Sequence, residues 1–213
     1  MKKPFIALSC IIIITSASAQ DLKSIPLVPP DRSRGLPAME AFSLRSSATA
    51  WDTAMLNVQD LSDLLWAANG INRPETGKRT APSAMNAQDI DLYIFLKKGV
   101  YLYLADENSL QPVTGGDSRK LVAGRQEEVA SVPVIVLMVS DTSRFRAGTA
   151  TLKLTWAAVD AGTVSQNISI FCAATGLATR PRATMDEDKL RELLKLKKSQ
   201  IIILNNPVSY KKN

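Results

Sequence analysis

Residues 45–49 combine an arginine with hydroxyl side chains at a spacing that could bind an anion. Arg45 is followed directly by Ser46 and, two and four positions on, by Ser47 and Thr49. A guanidinium group can bind two phosphate oxygens at once, and hydroxyl groups add neutral donors. Taken by itself, the cluster is either a phosphate site or the ordinary polar end of a surface helix.

A second polar segment, residues 79–88, precedes a predicted strand. It contains Pro82, Ser83 and Ala84, followed by Asn86. Proline, serine and asparagine favour turns, so this segment is predicted to place polar side chains and free backbone amides in one loop. Such a loop could hold a planar ring rich in heteroatoms, and an ordinary capped loop is the alternative.

Two lysines, Lys211 and Lys212, lie at the C-terminal end of the chain. A terminal lysine pair is usually solvated. It contributes to a binding site only if the chain folds back so that the ammonium groups meet an anion.

The composition excludes several kinds of catalytic site. The 213 residues include no histidine, which rules out a Ser-His-Asp hydrolase, a Cys-His protease and any His-ligated metal site. The carboxylates Asp89 and Asp91, and the acidic run 186–188, fall at a strand edge and at a helix start, where we predict structural roles. An enzyme with this composition would rely on a cofactor for its chemistry.

The N-terminus has the pattern of a signal peptide over residues 1–19. Lys2 and Lys3 precede an apolar run at 5–14, and the sequence ASA at 17–19 predicts cleavage before Gln20 and export to the periplasm. The run is too short to span a membrane, so no transmembrane segment is expected after cleavage. A lipoprotein attached through Cys10 is the alternative. Cleavage leaves Cys172 as the only thiol, which we interpret as a small buried apolar side chain.

Net charge argues against a nucleic-acid partner. Removal of Lys2 and Lys3, with no acidic residue lost, lowers the formal charge from +6 to +4. This small excess is spread along the chain, so it favours an anionic ligand such as a phosphate over a nucleic acid.

The elements that must position these residues follow from periodicity and turn signals. Residues 20–38 are predicted to form an extended arm rich in proline, and residues 39–213 a single domain. Helices are predicted over 39–51 (with its loop), 60–70, 119–129, 152–175 and 186–196. Strands are predicted over 91–96, 100–104, 132–139 and 201–204, with a short edge strand at 109–110 and a basic tail from 207 to 213. Helices and strands mix without strict alternation, which indicates an α+β domain.

Six segments in order resemble one family. They are LLWAANGI at 64–71, RTAPSA at 79–84, DAG at 160–162, SQN at 165–167, AATGL at 173–177 and NPVSY at 206–210. Together they resemble the nitroreductase family, and in particular the branch that includes azoline-oxidising dehydrogenases of peptide-modifying pathways. The resemblance covers residues 39–212.

The resemblance implies a homodimer with two FMN sites at the subunit interface. It implies a central mixed sheet flanked by helices, with the C-terminal segment exchanged with or packed on the partner. The implied cofactor positions are Arg45, Ser46, Ser47, Thr49, Pro82, Ser83, Ala84, Asn86, Ala183, Thr184 and Lys212.

The resemblance also implies a role for each of these positions. Arg45, Ser47 and Lys212 match contacts to the flavin phosphate, those of Arg45 and Ser47 extending to the ring. Residues 82–84 match a segment along the cofactor, Asn86 a contact to the polar edge of the ring, and residues 183–184 backbone amides near N5. Ser46 and Thr49 stand where the family often has basic residues, and Arg180 and Arg182 are the candidate substitutes.

The implied activity is a ping-pong electron transfer to or from a small organic substrate, with no catalytic side chain. Nicotinamide donors are not expected outside the cytoplasm, so either another reductant serves or the protein oxidises its substrate. Two alternatives remain open. One is an exported module that binds flavin or another ligand without turnover, and the other is an interaction protein that has lost the cofactor.

Overall fold

A seven-stranded antiparallel sheet forms the centre of the molecule, in a computed structural model that describes residues 22–212. The strands are β1 (Ile25–Pro26), β2 (Ile71–Arg73), β3 (Lys78–Arg79), β4 (Ile90–Leu96), β5 (Gly99–Leu104), β6 (Ser109–Gly115), β7 (Val134–Asp141), β8 (Leu177–Thr179) and β9 (Gln200–Tyr210). The helices are α1 (Ala38–Leu44), α2 (Val58–Asn69), α3 (Arg119–Ala123), α4 (Glu127–Ala130), α5 (Ala150–Thr175) and α6 (Glu187–Leu193).

The strand order in the sheet is β1-β6-β5-β4-β7-β9-β8, and β2 pairs with β3 in a separate hairpin. The prediction of an α+β fold with a central sheet flanked by helices is confirmed. The prediction that the sheet is mixed is wrong, because each pairing in it is antiparallel. Strands β7 and β8 run in the same direction, but β9 lies between them and pairs antiparallel with both.

Helices cover both faces of the sheet. On one face, Leu64 of α2 and Ile168 of α5 pack in the same core as Ile94 and Val136. On the other face, residues of α3, α4 and α6 pack against the alternate residues of β4 and β7, such as Phe95 and Ile135. Since both faces are covered, β7 is buried along most of its length, as its continuous apolar sequence predicts.

The long helix α5 is the best-predicted element. It runs for 26 residues, with the Thr149 hydroxyl accepting from the Leu152 amide at its start. It ends at Gly176, whose left-handed φ of 76° suits glycine. The predicted hairpin of β4 and β5 is also confirmed.

Three predicted elements differ from the structure. The predicted basic tail from residue 207 is wrong, because β9 continues through Pro207 to Tyr210, buried between β7 and β8. The helix predicted over 119–129 breaks into α3 and α4 at Gly124, which has a φ of 61°. The edge strand predicted at 109–110 is longer, because β6 runs from Ser109 to Gly115. Pro112 lies within β6 at a position that β1 does not cover, so its missing N–H donor costs no pairing with β1.

Residues 22–37 lie along the edge of the sheet and against α2. Ile25 and Pro26 pair with β6, and the Val28 amide donates to the Ser62 hydroxyl. Arg34 forms ion pairs with Asp60 and Asp63 of α2.

The predicted signal peptide, residues 1–19, and its lipoprotein alternative through Cys10 lie outside the described residues. Over residues 22–212, none of the helices has both the length and the apolar character needed to cross a membrane.

Candidate functional site

A pocket of about 240 Å³ lies where three distant parts of the chain meet. One wall is the segment 46–50 that follows α1, and a second is the junction of α5 with β8. The third is the end of the chain after β9. The polar residues that line the pocket are Ser46, Ser47, Thr49, Ser169, Thr179, Lys211 and Lys212.

Hydrogen bonds between these segments explain why they converge. The Ala48 amide donates to the Thr179 carbonyl at 2.9 Å, which fixes the segment to β8. Further along, the Asp52 amide donates to the Ser209 hydroxyl at 3.3 Å, which ties the same segment to β9. The Tyr210 hydroxyl then donates to the Asp60 carboxylate at 2.8 Å, so the strand is anchored just before the two lysines.

The electrostatics of the pocket favour an anion. Lys211 and Lys212 line it, and none of its described lining residues is acidic. The hydroxyls of Ser46, Ser47 and Thr49 supply neutral donors beside these two cations. Exposed lysines and hydroxyls without a competing carboxylate form a donor set that suits a phosphate group.

The apolar floor of the pocket includes Cys172, which is buried. Burial raises the pKa of the Cys172 thiol, so the group is neutral at physiological pH. The interpretation of Cys172 as a small buried apolar side chain is confirmed.

Three arginines near the pocket have different surroundings. Arg45 is exposed and lies between the lining residues Leu44 and Ser46. Arg180 stacks over the Trp51 ring, with 5.7 Å from its Cζ to the ring centroid, and donates to Gln126. Arg182 is 6% exposed and is committed to internal hydrogen bonds.

The hypothesis that Arg182 supplies a phosphate contact is therefore not supported. Its guanidinium donates to the carbonyls of Val122 and Ala123 at 3.1 and 2.8 Å. It also donates to the side-chain oxygens of Asn205 at 2.9 Å and Gln126 at 2.8 Å. With its donors engaged inside the protein, Arg182 joins α3, β9 and the segment before α6 instead of facing a ligand.

The predicted loop at residues 82–86 lies elsewhere, against α5. The Thr163 hydroxyl lies 3.4 Å from the Pro82 carbonyl, and the Ala84 amide donates to the Asp160 carboxylate at 2.9 Å. The Ser83 hydroxyl accepts from the Gln88 amide at 2.9 Å, so it stabilises the loop itself. The side chain of Asn86 is exposed, with no hydrogen bond among the described residues.

The predicted positions Ala183 and Thr184 are exposed and form a third location. Thr184 lines an open groove of about 1060 Å³ between α3 and the start of α6. Acidic residues at 186–188 line this groove together with Lys120 and Arg125, so it lacks the one-sided charge of the first pocket.

Within one chain, the structure thus brings together Ser46, Ser47, Thr49 and Lys212, with Arg45 beside them. It does not bring Pro82, Ser83, Ala84 and Asn86, or Ala183 and Thr184, into the same pocket. Sequence reasoning missed Ser169 and Thr179 as lining residues. The segment AATGL next to them was the available signal, since it marks the α5–β8 junction that forms the wall.

Sequence reasoning also missed a buried acidic pair. Asp89, interpreted as a structural acid at a strand edge, is 0% exposed and accepts a hydrogen bond from the Ser140 hydroxyl. Desolvation, helped by the neighbouring carboxyl group of Asp160, raises the pKa of Asp89 to about 7, while the Ser140 hydrogen bond opposes the shift. Nothing in the local sequence indicates this pair, because 71 positions separate its members.

Comparison with known proteins agrees with this architecture. The family model that matches is that of the nitroreductase family, over residues 45–206. The match begins at the arginine after α1 and ends inside β9. Among proteins with curated functions, none matches the chain in sequence.

Solved structures share the fold. A protein from Ralstonia eutropha assigned as a nitroreductase is 32% identical, with a TM-score of 0.83, and the alignment covers 89% of this chain and 90% of that one. A nitroreductase family protein from Streptococcus pneumoniae is 18% identical, with a TM-score of 0.60 and coverage of 82% and 90%.

The Escherichia coli microcin synthetase complex McbBCD, solved with truncated pro-MccB17 bound, is 14% identical, with a TM-score of 0.71 and coverage of 99% and 85%. At these lower identities, the last two similarities show the fold alone. The sequence identity to the Ralstonia eutropha protein and the family match over most of the length show more: the chain belongs to the nitroreductase family of flavin-type oxidoreductases.

Proposed function

We propose that the protein binds FMN at an interface between two copies of the chain and transfers electrons to or from a small organic substrate. The observation that carries this proposal is the pocket that joins residues 46–49 to the C-terminal lysines. Its donors match the phosphate end of FMN. Lys211 and Lys212 would neutralise the phosphate charge, the hydroxyls of Ser46, Ser47 and Thr49 would donate to its oxygens, and Arg45 lies close enough in sequence to add a bidentate contact.

The size of the pocket supports a site shared by two chains. Pockets that enclose whole ligands have volumes of roughly 300–1,000 Å³, and this one has about 240 Å³. It therefore accounts for part of a mononucleotide. We propose that the loop 82–86 of a second copy, which lies away from the pocket in its own chain, completes the site along the flavin ring.

Exposed apolar side chains on α1 and α5 support the same dimer. Met39 is 79% exposed and Phe42 56% exposed on α1, and Val159 is 58% exposed on α5. These helices contact each other, and the loop residue Met85 is also exposed. Large exposed apolar side chains of this kind are typical of a protein interface. A second copy of the chain would bury them.

The protein side of the mechanism is binding and orientation. FMN, when bound, supplies the reversible two-electron chemistry in a ping-pong cycle, for which no catalytic side chain is needed. The lysines and hydroxyls hold the phosphate, and the Asn86 side chain and the backbone amides of residues 183–184 are available to orient the ring. If the protein is exported, as we propose from its N-terminal sequence, a donor other than a nicotinamide must serve, or the protein oxidises its substrate.

The absorption spectrum of the purified protein, before and after heat release of any bound cofactor, tests the proposal. We expect flavin bands and about one FMN per chain. For protein purified without cofactor, FMN at about a hundred times its Kd should stabilise the fold by roughly 2.7 kcal/mol. A colourless protein whose thermal midpoint does not change with saturating FMN would refute the proposed function.

The variant Lys212→Ala tests the role assigned to the C-terminus. Loss of one charge-assisted hydrogen bond of about 1.5–3 kcal/mol should raise the Kd for FMN by roughly 10- to 150-fold. Lys198→Ala is the matched control, because Lys198 is also an exposed lysine but does not line the pocket. Equal affinities of the two variants would remove Lys212 from the site.

A module that binds flavin without turnover is the second candidate. The presence of Ser46 and Thr49, where the family often has basic residues, favours it because fewer cations hold the phosphate. Steady-state turnover of the dithionite-reduced protein with a panel of acceptors separates the two. Reoxidation no faster than that of free FMN would establish a binding module, whereas a protein that takes up no flavin would be an interaction protein that has lost the cofactor.

A further inference from the structure

Two buried carboxyl groups connect the core to the loop 82–88. Asp89 lies just before β4 and is 0% exposed, and Asp160 lies in the middle of α5 and is 4% exposed. Asp89 accepts a hydrogen bond from Ser140 through Oδ2. Its Oδ1 atom is buried, and over residues 22–212 no donor reaches it.

The carboxyl group of Asp160 lies within hydrogen-bonding reach of Asp89. If both groups were ionised, two negative charges would face each other inside the protein with one oxygen unsatisfied. Buried polar atoms in native proteins have partners, and adjacent carboxylates do not both ionise. One proton on Asp89 Oδ1, donated to Asp160, removes one of the two charges and gives the buried oxygen a hydrogen-bond partner.

Asp160 also holds the loop. Its Oδ2 atom accepts from the Ala84 amide at 2.9 Å, and Thr163, one turn further along α5, lies 3.4 Å from the Pro82 carbonyl through its hydroxyl. Met85, Asn86 and Gln88 adopt left-handed φ values of 55°, 53° and 48°. Side chains other than glycine disfavour this conformation, so it persists only where surrounding contacts impose it.

The charged groups on the surrounding elements are engaged elsewhere. Arg79 of β3 donates to Gln88 Oε1 and to the Asn69 carbonyl. Arg144, after β7, pairs with Asp91 of β4. The Asp141 carboxylate at the end of β7 accepts from Ser143. In this part of the described structure, therefore, no cation is hydrogen-bonded to Asp89 or Asp160 to offset a second negative charge.

We propose that Asp89 and Asp160 share one buried proton, and that this proton keeps the loop 82–88 in the conformation that presents the Asn86 side chain. Asp160 is then a positioning residue that acts through the Ala84 amide. Loss of the proton creates two adjacent buried charges, and their repulsion weakens the contact between Asp160 and the loop. Only the consequence for FMN rests on the proposed function.

The direction of the Asp89 titration agrees with this arrangement. Desolvation, followed by the neighbouring Asp160, raises the pKa of Asp89 to about 7, while the Ser140 hydrogen bond lowers it. The shared proton is therefore lost across physiological pH. An acid with its midpoint near 7 goes from about 3% ionised at pH 5.5 to about 97% ionised at pH 8.5.

Amide hydrogen exchange of the purified protein without FMN tests the proposal. After correction for intrinsic exchange rates, the protection of a peptide covering residues 82–88 should fall about tenfold or more between pH 5.5 and 8.5. The variant Asp89→Asn keeps a donor toward Asp160 and does not titrate, so its loop should stay protected at both pH values. Asp141→Asn is the control, and it should behave as the wild type does.

The variant Ser140→Ala gives a second and independent outcome. It removes the hydrogen bond that lowers the pKa of Asp89, so the midpoint of the loop transition should move to higher pH. A wild-type loop with constant protection would overturn the proposal. So would an Asp89→Asn loop that titrates as the wild type does or, should that variant not fold, a Ser140→Ala midpoint that does not move.

FMN affinity separates this inference from the proposed function. The ratio of the wild-type Kd to the Asp89→Asn Kd cancels the ionisation of the FMN phosphate itself, and it should rise severalfold from pH 5.5 to 8.5. A loop that titrates in a protein that binds no FMN supports the shared proton and refutes the flavin site. A ratio that is constant with pH, in a protein that does bind FMN, would show that the loop does not contact the cofactor.

Discussion

Replacement of Arg182 by methionine tests whether this residue holds the fold together or serves a ligand. Methionine keeps a long apolar side chain in the cavity and removes the guanidinium group. Five hydrogen bonds are lost, two of them to the carbonyls of Val122 and Ala123 and three to the side chains of Asn205, Gln126 and Thr184. Those acceptors are then left without their donor in the interior.

The size of the effect follows from two opposing contributions. Hydrogen bonds to a charged group contribute about 1.5–3 kcal/mol each, so five of them give an upper limit of roughly 8–15 kcal/mol. Burial of the charge opposes this gain. Desolvation, and then the nearby Arg180, lowers the pKa of Arg182, which shows that its charged form is destabilised there. Loss of a buried charged group with its network typically costs about 3–5 kcal/mol, and we expect that value.

Urea unfolding at pH 7, followed by tryptophan fluorescence, measures the change. Arg182→Met should lower the unfolding midpoint, while Arg146→Met, at an exposed arginine, should leave it within about 0.5 kcal/mol of wild type. FMN affinity, measured where the variant is folded, should be unchanged. If stability matched that of the Arg146→Met control while the Kd for FMN rose, Arg182 would be a ligand-binding residue and our assignment would be wrong.

Three further predictions concern pH, backbone packing and assembly. Because the pKa of Asp89 is raised in the folded protein, its contribution to stability is present below about pH 4 and is lost as the pH rises through about 7. The loss is no more than about 4 kcal/mol. Urea midpoints should therefore fall over this pH range in the wild type and fall less in Asp89→Asn. Gly70→Ala should destabilise the fold by about 1–3 kcal/mol in thermal unfolding, because its Cβ would lie 2.7 Å from the Trp66 Cα, and unchanged stability would contradict this packing. Phe42→Glu places a charge in the proposed interface and should shift the protein from dimer to monomer in sedimentation, whereas a stable dimer would exclude α1 from the interface.

The elements that local patterns determine were predictable from the sequence. The alternating strands β4 and β5 surround a short turn, β7 is a continuous apolar run, and α5 ends at a glycine. Each of these signals lies within the element itself, because periodicity and turn chemistry act over a few residues. The hydroxyl cluster after α1 was found in the same way, from residue types at short spacing.

The features that were missed depend on partners that are distant along the chain. The predicted strand stopped before Asn205 and Asn206, and the predicted basic tail included Ser209, yet the side chains of all three residues are buried in β9. Asn205 is satisfied by Arg182, and Asn206 by Ser165 of α5 and Thr179 of β8. From sequence alone, a polar residue is predicted to be exposed unless its hydrogen-bond partner is known, and no local pattern identifies that partner.

The position of β9 has a consequence for the site. A strand of 11 residues advances about 3.3 Å per residue, so it carries the chain from the α6 side of the sheet to the pocket. Because it enters between β7 and β8, it delivers Lys211 and Lys212 beside the segment 46–50 that β8 holds through Thr179. A separate mobile tail would not hold the two lysines at a fixed position beside this segment. The cationic end of the pocket is therefore a product of the sheet topology.

The same topology places the loop 82–86 against Asp160 and Thr163 of α5, away from the pocket in its own chain. The pocket has about 240 Å³, below the roughly 300–1,000 Å³ of pockets that enclose whole ligands, and apolar side chains of α1, of α5 and of Met85 are exposed. A second copy of the chain would explain both observations, since it would bury the apolar surface and supply the loop that the pocket lacks. The two are therefore tested together: a monomer that binds FMN with full affinity would refute the dimer and the composite site in a single measurement.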